Sequence, residues 1–197
     1  MNAQIKKWDK AAKSLDWAGP GIERRYGEYK RELFAKAHGT VLLAAAGTGL
    51  DFDYFPPGLN VTGIDFSATM LEMARVRARL AGIRLTLGDI QRMPFKDEAF
   101  DTVVASCTFC SVPDPVEGLR EVKRVLKTDG KLLMFEHVRA GNPVLGKMMD
   151  IMSPISRIFG PEINRRTKDN VEKAGFAITR EYNVYLDVVK IFEAKKQ

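Results

Sequence analysis

The stretch from Val41 to Asp65 constrains the fold of this chain more than any other. It begins with the unbroken apolar run Val41–Ala46, which is typical of a strand buried on both faces of a parallel sheet. The run ends in Gly47-Thr48-Gly49, where the backbone can turn sharply and approach a ligand closely. A second apolar strand, Val61–Ile64, is followed by Asp65, and an acid about 20 residues after such a turn can bind the hydroxyl pair of a ribose. The sequence therefore predicts an adenosine-binding site on an α/β fold.

The spacing of the glycines indicates which adenosine cofactor this site could take. A dinucleotide fingerprint, Gly-x-Gly-x-x-Gly, would need a third glycine at the position of Phe52. Asp51 and Asp53 place negative charge where a pyrophosphate would lie, and no Gly-Lys-Ser/Thr of a P-loop follows. We therefore predict an adenosine cofactor without phosphates, and S-adenosylmethionine is the obvious candidate.

Length and composition are those of an ordinary globular domain. The chain has 197 residues, enough for one sizeable core, and a net charge of +6 with a pI near 9.3. This basic excess suits an anionic partner or a membrane surface but requires neither. No apolar run approaches the roughly 18 residues that span a bilayer, residues 1–7 lack a signal-peptide core, and two cysteines form no disulfide framework. The expected location is the cytoplasm, with peripheral membrane contact left open.

Five motifs along the chain resemble, in the same order, those of the class I methyltransferases of the ubiquinone/menaquinone type. They are Val41–Gly49; Gly63–Ser67 with Met70 and Leu71; Gly88–Ile90 with Met93–Phe95; Phe100–Val103; and Arg124–Lys127 with Gly130–Leu132. The match covers about Val41 to Phe176, and five ordered motifs are far more specific than one glycine turn. The resemblance implies S-adenosylmethionine as the cofactor and methyl transfer as the activity.

The order of strand and helix patterns predicts a doubly wound α/β fold with a mostly parallel, seven-stranded, Rossmann-like sheet. The predicted strands are 41–46, 61–64, 83–87, 100–106, 131–135, 177–181 and 184–192, and the last two are expected to form an antiparallel pair at the edge of the sheet. Helical patterns cover 68–82, 116–126 and 165–175. We expect one methyltransferase domain over 1–197, made of N-terminal lid helices (1–38), a cofactor-binding core (39–140), an acceptor-side insertion (141–166), and a last helix with the edge strands (167–197).

Two helices are predicted before the first strand, separated by Gly19-Pro20-Gly21. Their apolar faces carry Ile5, Trp8, Ala12 and Leu15 in the first helix and Ile22, Tyr26, Tyr29 and Leu33 in the second, with lysines and arginines between them. In the family that the chain resembles, such helices commonly form a lid over the cofactor. The alternative is an interfacial anchor, because a basic amphipathic helix bearing a tryptophan can lie on anionic lipid.

The carboxyl ends of the predicted strands supply the candidate cofactor-binding residues, since ligands of a doubly wound sheet bind there. The full set is Ala45, Gly47, Gly49, Asp65, Phe66, Met70, Asp89, Ile90, Ser106 and Cys107. The resemblance implies that Asp89 accepts from the adenine amino group and that Ile90 packs on the ring, although an aspartate in a turn can also serve its own backbone. Phe66 and Met70 are expected to wall the adenosine pocket, unless they belong to the core.

One departure from the family concerns the end of the first strand. Where the family has an acidic residue and a glycine, this chain has Leu43 and Ala45. Loss of the acid removes a usual partner of the cofactor's ammonium group.

Cys107 and Cys110 follow the strand 100–106 in a loop that should border both the methionine tail and the acceptor. A Cys-x-x-Cys pair raises the question of redox or metal chemistry. Two cysteines supply only half of a tetrahedral zinc site, however, and only His38 and His137 could add to them. A small, soft wall beside the sulfonium is the favoured interpretation, and no metal is predicted.

His137 is the candidate catalytic residue, as a general base. It follows the strand 131–135 on the acceptor side of the sheet, and a histidine titrates near neutral pH, as proton removal requires. A histidine at a strand end can also be a satisfied structural group or a wall of the cofactor pocket. Its neighbour Glu136 is a candidate to orient it or to contact the acceptor.

The segment Gly141–Pro161 departs from the alternation of strands and helices. Met148, Met149 and Met152 give it an adaptable apolar surface, which suits either core packing or a greasy ligand. In the family, the insertion at this place shapes the acceptor pocket, so an apolar acceptor is expected. Arg165 or Arg166 could meet an anionic group or simply begin the last helix.

The acceptor is predicted to be a small apolar or lipid-like molecule, and a thiol is the first choice. Cys110–Val112, Glu121–Leu126 and Glu136–Val138 look most like the membrane-associated thiol methyltransferases of the methyltransferase-like seven group. Phospholipid amines and quinone precursors are the alternative acceptors, and a non-catalytic cofactor-binding module is a further alternative. No nucleic acid is expected as a partner, because the basic residues are dispersed and no Asn/Asp-Pro-Pro-Tyr/Phe motif is present.

Overall fold

The computed structural model describes residues 2–197 as seven β-strands and five α-helices. The strands are β1 (Thr40–Ala44), β2 (Asn60–Asp65), β3 (Arg84–Leu87), β4 (Phe100–Ser106), β5 (Leu126–His137), β6 (Phe176–Tyr185) and β7 (Val189–Lys196). The helices are α1 (Asn2–Phe34), α2 (Ala68–Ala81), α3 (Pro115–Val125), α4 (Pro143–Phe159) and α5 (Thr167–Lys173). A single 3-10 turn, Phe52–Tyr54, lies between β1 and β2.

The seven strands form one sheet in the order β3-β2-β1-β4-β5-β7-β6. Neighbouring strands are parallel from β3 to β5, whereas β7 is antiparallel to both β5 and β6. The sheet is therefore doubly wound, mostly parallel and Rossmann-like, as predicted. Its order reverses between β1 and β4, and this reversal creates a crevice at the carboxyl ends of those two strands.

The central strands are apolar because both faces of the sheet are covered there. On β1, Leu42 belongs to the apolar cluster beside α3 and α5, while Val41 and Leu43 belong to the cluster beside α1 and α2. Successive strand residues point to opposite faces, so a strand covered on both sides needs an unbroken apolar run. This is why the central strands could be predicted from the sequence.

The helix starts follow from capping side chains. Ser67 accepts from the backbone N–H of Met70 at the start of α2, and Asp114 accepts from the N–H groups of Val116 and Glu117 at the start of α3. Gly82 ends α2 with a φ of 69°, a left-handed conformation that glycine adopts without strain. These caps confirm the predicted starts and ends of both helices to within one residue.

The last strand pair is displaced from its predicted position. The turn between β6 and β7 lies at residues 186–188 rather than at 182–183. Leu186 and Asp187 carry this turn with φ angles of 43° and 57°. Neither residue is a glycine, so the strongest sequence signal for positive φ is missing at this turn.

The N-terminal region is one helix, so the prediction of two helices was wrong. The helix α1 continues through Gly19, Pro20 and Gly21. A proline inside a helix removes one backbone donor and crowds the preceding turn, and contacts on both sides of it hold α1 together. Asp16, before the proline, pairs with Arg77 of α2 at 2.7 Å, and Lys30, after the proline, pairs with Asp51 at 2.6 Å. A Cβ at Gly19 would lie 2.9 Å from the side chain of Leu50, so this glycine permits close packing and does not end the helix.

The sequence predicted that the alternation of strands and helices is interrupted after β5. The structure has two successive helices there, α4 and α5, between β5 and β6. Asn142 caps α4 by accepting from the N–H groups of Val144 and Leu145. Within residues 2–197, none of the helices is both long enough and apolar enough to cross a membrane.

Candidate cofactor and acceptor site

The candidate site lies where the carboxyl ends of β1, β2, β4 and β5 meet. In a doubly wound sheet this edge is the place where ligands bind. The predicted site residues around Gly47, Asp65, Ser106 and His137 all follow or end these strands. The sheet therefore brings together side chains that lie up to about 90 residues apart in the chain.

Asp65 ties the glycine turn to the start of α2. Its Oδ2 accepts from the N–H of Gly47 at 2.9 Å, and its Oδ1 accepts from the N–H of Ser67 at 2.9 Å. Burial raises the pKa of this carboxyl group, although both backbone donors oppose the rise; the nearby carboxylate of Asp9 adds to it. Each carboxylate oxygen can accept a further bond, so Asp65 can still bind ribose hydroxyls.

The glycine turn contains a strained alanine. Ala45 has a φ of 57°, in the left-handed region, where its Cβ is unfavourable. Gly47 also has a positive φ, and a Cβ added there would meet no atom within 4 Å, so its face of the turn is open. A Cβ at Gly49 would lie 2.6 Å from the ring of Phe52, which shows why a glycine stands there.

The predicted adenosine wall is only partly open to the crevice. Phe66 and Asp89 are half-buried, whereas Met70 and Ile90 are buried. Asp89 accepts from the N–H of Gln91 at 2.9 Å, so it does serve its own turn. Ile90 belongs to the apolar cluster beside α3. The side chain of Ile90 therefore packs in the core, behind the residues that line the crevice.

The loop after β4 is held by hydrogen bonds to its neighbours. Cys107 has a φ of 52°, is exposed, and donates its N–H to the carbonyl of Phe135 at 2.7 Å. Cys110 is buried, and its Sγ donates to the carbonyl of Cys107 at 3.3 Å. Thr108 Oγ1 donates to the carbonyl of Ala44 at 3.0 Å, which joins this loop to the end of β1.

Glu136 anchors the same loop from inside the protein. It is fully buried, and its Oε1 accepts from the N–H groups of Thr108 at 3.0 Å and Phe109 at 3.1 Å. Its Oε2 is buried without a hydrogen-bond partner in the part of the chain that is described. Burial raises the pKa of Glu136 to about 7, although these backbone donors oppose the rise. Glu136 thus positions the loop, a role that the sequence did not indicate.

His137 is half-buried at the end of β5. Burial lowers its pKa below the ordinary 6.5, so the ring is neutral at pH 7. Its Nδ1 is buried and has no partner among the described residues, and consecutive residues of a strand point to opposite faces. Glu136 is therefore not the orienting partner of His137 that the sequence raised as an option. His38 lies elsewhere, beside Thr102, and does not join the site.

Sequence reasoning missed the buried ion pair between Lys30 and Asp51. Lys30 is 5% exposed, and its Nζ lies 2.6 Å from Asp51 Oδ1. The predicted apolar face of this part of α1 included Tyr29, but Tyr29 is exposed and Lys30 is buried. The spacing from Tyr26 to Lys30 to Leu33, four and then three residues, could have shown that Lys30 shares the buried face.

The first half of α1 crosses over the crevice and is held from both sides. Gln4 donates to the carbonyl of Ser111 at 3.1 Å, and Lys7 donates to the carbonyl of Gly160 at 3.1 Å, both on the acceptor side. On the other side, Asp9 accepts from Ser67 Oγ at the start of α2. A cofactor bound at the crevice would therefore lie beneath this helix.

The chemistry of the site suits S-adenosylmethionine better than a phosphate-bearing nucleotide. The acids near the glycine turn, Asp51, Asp53 and Asp65, disfavour a pyrophosphate but suit ribose hydroxyls and an ammonium group. Ser106 Oγ is buried at the end of β4 without a partner among residues 2–197, so it is free to bond a ligand.

Comparison with known proteins agrees with this interpretation. A family model described as a methyltransferase domain matches residues 42–134, from β1 into β5. The fold matches a crystal structure of an S-adenosylmethionine-dependent methyltransferase from Thermotoga maritima with a TM-score of 0.74, over 98% of this chain and 99% of that one. The chain has the fold of the class I methyltransferases. The sequence identity of 19% to the Thermotoga protein means that this likeness concerns the fold alone.

Curated proteins similar to this chain are named for quinone chemistry. The chain is 33% identical over 133 residues to a ubiquinone/menaquinone biosynthesis C-methyltransferase of Citrifermentans bemidjiense, covering 63% of this chain and 57% of that protein. It is 38% identical over 118 residues to a demethylmenaquinone methyltransferase of Staphylococcus aureus, covering 59% of this chain and 48% of that protein. The chain thus matches about half the length of these relatives.

Proposed function

We propose that this protein uses S-adenosylmethionine to methylate a carbon of an apolar, quinol-type acceptor. The observation that carries the proposal is His137, whose neutral ring stands at the end of β5 with a buried Nδ1 that bonds no described residue. A phenolic ring needs a base of this kind, because its carbon becomes nucleophilic when the hydroxyl proton leaves. The similar proteins named as quinone-biosynthesis methyltransferases support a quinol-type molecule as the acceptor.

Several residues of the crevice would hold the adenosine part of the cofactor. Asp65 would bind the ribose hydroxyls, Asp89 the adenine amino group, and Phe66 and Met70 would wall the pocket. Ala45, Gly47 and Gly49 would let the backbone approach the ligand closely, and Ser106 and Cys107 would border its sulfur. Bound S-adenosylmethionine supplies a methyl group already activated by the sulfonium. The protein therefore need only place and deprotonate the acceptor.

The proposed mechanism is a direct in-line displacement. His137 would take the phenolic proton and so make the ring carbon nucleophilic toward the methyl group that S-adenosylmethionine supplies; loss of the hydrogen from that ring carbon would then restore the phenol. The helix α1 covers the crevice and excludes water. Its role as a lid is part of this proposal.

The quinol-type acceptor replaces the thiol that motif resemblance favoured. The relatives found by comparison name quinone precursors, and the thiol prediction gains no support from them. Phosphatidylethanolamine remains an alternative acceptor, because the exposed residues of α1 and α4 suit a lipid surface.

The proposal includes peripheral contact with a membrane. On α1, Lys6, Lys10, Lys13 and Trp17 share one exposed face at spacings of four, three and four residues. On α4, six large apolar side chains share an outward face and are each at least 50% exposed: Val144, Met148, Ile151, Met152, Ile155 and Ile158. Basic and apolar faces of this kind bind anionic lipid, from which a greasy acceptor could enter the site.

Transfer of labelled methyl to three acceptors tests the function. We offer the protein a demethylated quinol, a small alkyl thiol and phosphatidylethanolamine vesicles, and we expect label on a ring carbon of the quinol. Label in a thioether or in the lipid would overturn the acceptor class. Binding of S-adenosylhomocysteine without any transfer would instead identify a non-catalytic module.

The variant His137→Gln tests the base. We expect turnover to fall at least about 100-fold while the affinity for S-adenosylhomocysteine stays the same. Because burial lowers the pKa of His137, wild-type turnover should fall with acid only below pH 6.5, and this acid limb should disappear in the variant. Unchanged turnover would remove His137 from the mechanism.

A further inference from the structure

We propose that Lys30 and Asp51 form the binding site for the amino-acid tail of the cofactor. They would replace the acidic residue that the family has at the position of Leu43. The inference rests on the proposed use of S-adenosylmethionine, and it assigns to two residues of this chain a ligand class, an α-amino acid zwitterion. Neither residue belongs to the glycine turn itself.

The position of the pair is the first argument. Asp51 follows Gly49 by two residues, at the exit of β1. The Lys30 ammonium lies 5.2 Å from the centroid of the Phe135 ring near the end of β5, and the carbonyl of Phe135 accepts from the N–H of Cys107, the first residue after β4. The pair therefore stands where the carboxyl ends of β1, β4 and β5 meet. The cofactor's tail must reach this region to bring its sulfur to the acceptor.

The free hydrogen-bonding capacity of the pair is the second argument. An ammonium group has three donors, and Lys30 uses one of them, on Asp51 Oδ1, among the described residues. No bond to Asp51 Oδ2 is present in the described part of the chain, and Asp51 is half-buried. The tail's carboxylate could bond Lys30 while its ammonium bonds Asp51, and the existing ion pair would stay intact. The tail's carboxylate, the Lys30 ammonium, the Asp51 carboxylate and the tail's ammonium would then form a chain of charges that alternate in sign.

The surroundings of Leu43 are the third argument. Leu43 is buried among apolar side chains on the face of the sheet that α1 covers, and Phe135 belongs to the same cluster. An apolar side chain there cannot bind an ammonium group. Asp51 brings a carboxylate to the same face from the next loop, so the negative charge is kept and only its source differs.

The energetics of Lys30 are the fourth argument. Burial opposes its positive charge, but the neighbouring acidic groups, Asp51 foremost, together outweigh this effect and leave the pKa of Lys30 raised. Buried ion pairs are poor stabilisers, because the loss of hydration offsets most of their attraction. A binding role explains a buried ammonium with spare donors better than stability does.

Two ligands that differ only in the tail test this inference. S-adenosylhomocysteine carries the amino-acid tail, and 5′-methylthioadenosine lacks it. Titration calorimetry gives the dissociation constants of both ligands for the wild type, Lys30→Met and Asp51→Asn. We expect each substitution to weaken the binding of S-adenosylhomocysteine about 10- to 100-fold, because hydrogen bonds between charged groups are lost in this complex. The affinity for 5′-methylthioadenosine should change less than about threefold, because this ligand makes no such bonds.

The ion pair between Lys36 and Glu193 provides the matched control. It has the same length of 2.6 Å and lies just after α1, against β7. Lys36→Met should leave both dissociation constants unchanged. Asp51→Asn keeps the side-chain volume, so it carries the test if Lys30→Met does not fold.

The outcomes separate this inference from the proposed function. If the substitutions at Lys30 and Asp51 weaken both ligands by the same factor, or weaken neither, the pair does not bind the tail and the inference is wrong. If the wild type binds neither ligand, the proposed cofactor itself is wrong.

Discussion

At the residue scale, Ala45 stands where the backbone favours glycine. Its φ of 57° costs about 1–2 kcal/mol for a residue with a Cβ. The strain lies in the turn that shapes the crevice, next to the open face of Gly47. A strained residue at a ligand site is held in place by its surroundings, here by the hydrogen bond from Gly47 to Asp65.

Ala45→Gly should raise the free energy of unfolding by roughly 0.5–1 kcal/mol, because glycine adopts positive φ without strain, although it loses more entropy on folding. Urea unfolding at neutral pH measures the change. Ala46→Gly is the matched control, because Ala46 is buried and is not among the residues with positive φ. It should lower stability, and an equal effect at both positions would contradict the assignment of strain to Ala45.

Glu136 should make stability depend on pH. A carboxyl with a raised pKa holds its proton more tightly in the native state. The native state therefore loses stability as pH rises from the ordinary pKa of 4.5 to about 7, and the loss is constant above that. Glu136→Gln removes this loss while keeping an oxygen for Thr108 and Phe109. The free energy of unfolding of the variant, relative to that of the wild type, should therefore increase by on the order of 3 kcal/mol between pH 5 and pH 8.

Urea unfolding of both proteins at the two pH values tests this prediction. Glu121→Gln is the control, since the hydrogen bond from Arg124 lowers the pKa of Glu121 and keeps it ionised throughout this range. The difference between that variant and the wild type should not change with pH. A constant difference for Glu136→Gln as well would show that Glu136 is ionised across the whole range.

At the element scale, the long helix α1 depends on contacts that the sequence does not display. Gly19 and Gly21 flank Pro20 inside it, and a motif of this kind usually predicts a break. The two glycines differ in their surroundings. A Cβ at Gly19 would crowd Leu50, whereas a Cβ at Gly21 would meet nothing within 4 Å.

Gly21→Ala should therefore stabilise the protein by about 1 kcal/mol, the usual difference in helix propensity. Gly19→Ala offers the same gain in propensity but must displace Leu50, so it should give no net gain. Thermal unfolding of both variants measures the difference. Equal stabilisation would mean that α1 does not pack closely against Leu50.

The helix α4 shows the opposite case, in which an apolar pattern faces outward. Met148 and Met152 are exposed, and only Met149 points inward, where its sulfur accepts from the N–H of Ala140. These two methionines therefore do not pack in the core. A largely exposed ion pair between Asp150 and Arg139, at 2.9 Å, also joins α4 to the segment that follows β5.

At the scale of the whole molecule, the exposed face of α4 should decide binding to lipid. Ile151→Glu with Ile155→Glu should lower partitioning to anionic vesicles at least tenfold, because each buried isoleucine contributes about 1.5–3 kcal/mol. Val76→Glu with Leu80→Glu is the matched control, since these exposed apolar residues lie on α2, away from α4. Co-sedimentation with vesicles measures partitioning.

Two results would contradict membrane contact through α4. One is equal loss in the two double variants. The other is a dimer in solution that Ile151→Glu with Ile155→Glu dissociates, because a second copy would then cover this face. If the basic face of α1 contributes, binding should also weaken as salt is added.

The sequence by itself determined the order of the strands and the positions of the main motifs. The buried strands appear as apolar runs because both faces of the sheet are covered, and Ser67 and Gly82 mark the ends of α2 through local hydrogen bonds and backbone conformation. The predicted positions of Gly47, Asp65, Asp89, Ser106 and His137 at strand ends follow from this order. All of these signals are local, so a single sequence contains them.

Only the tertiary structure decided which residues distant in the chain pair with one another. In the structure, Lys30 is buried against Asp51 and α1 continues through Pro20. The apolar face of α4 is exposed, and Glu136 binds the loop at Thr108. Each outcome depends on a partner distant in the chain, and residues such as lysine and glycine are compatible with either environment. The physical reason is that burial and pairing each require two segments of the chain to come into contact. A local sequence pattern describes only one of those segments.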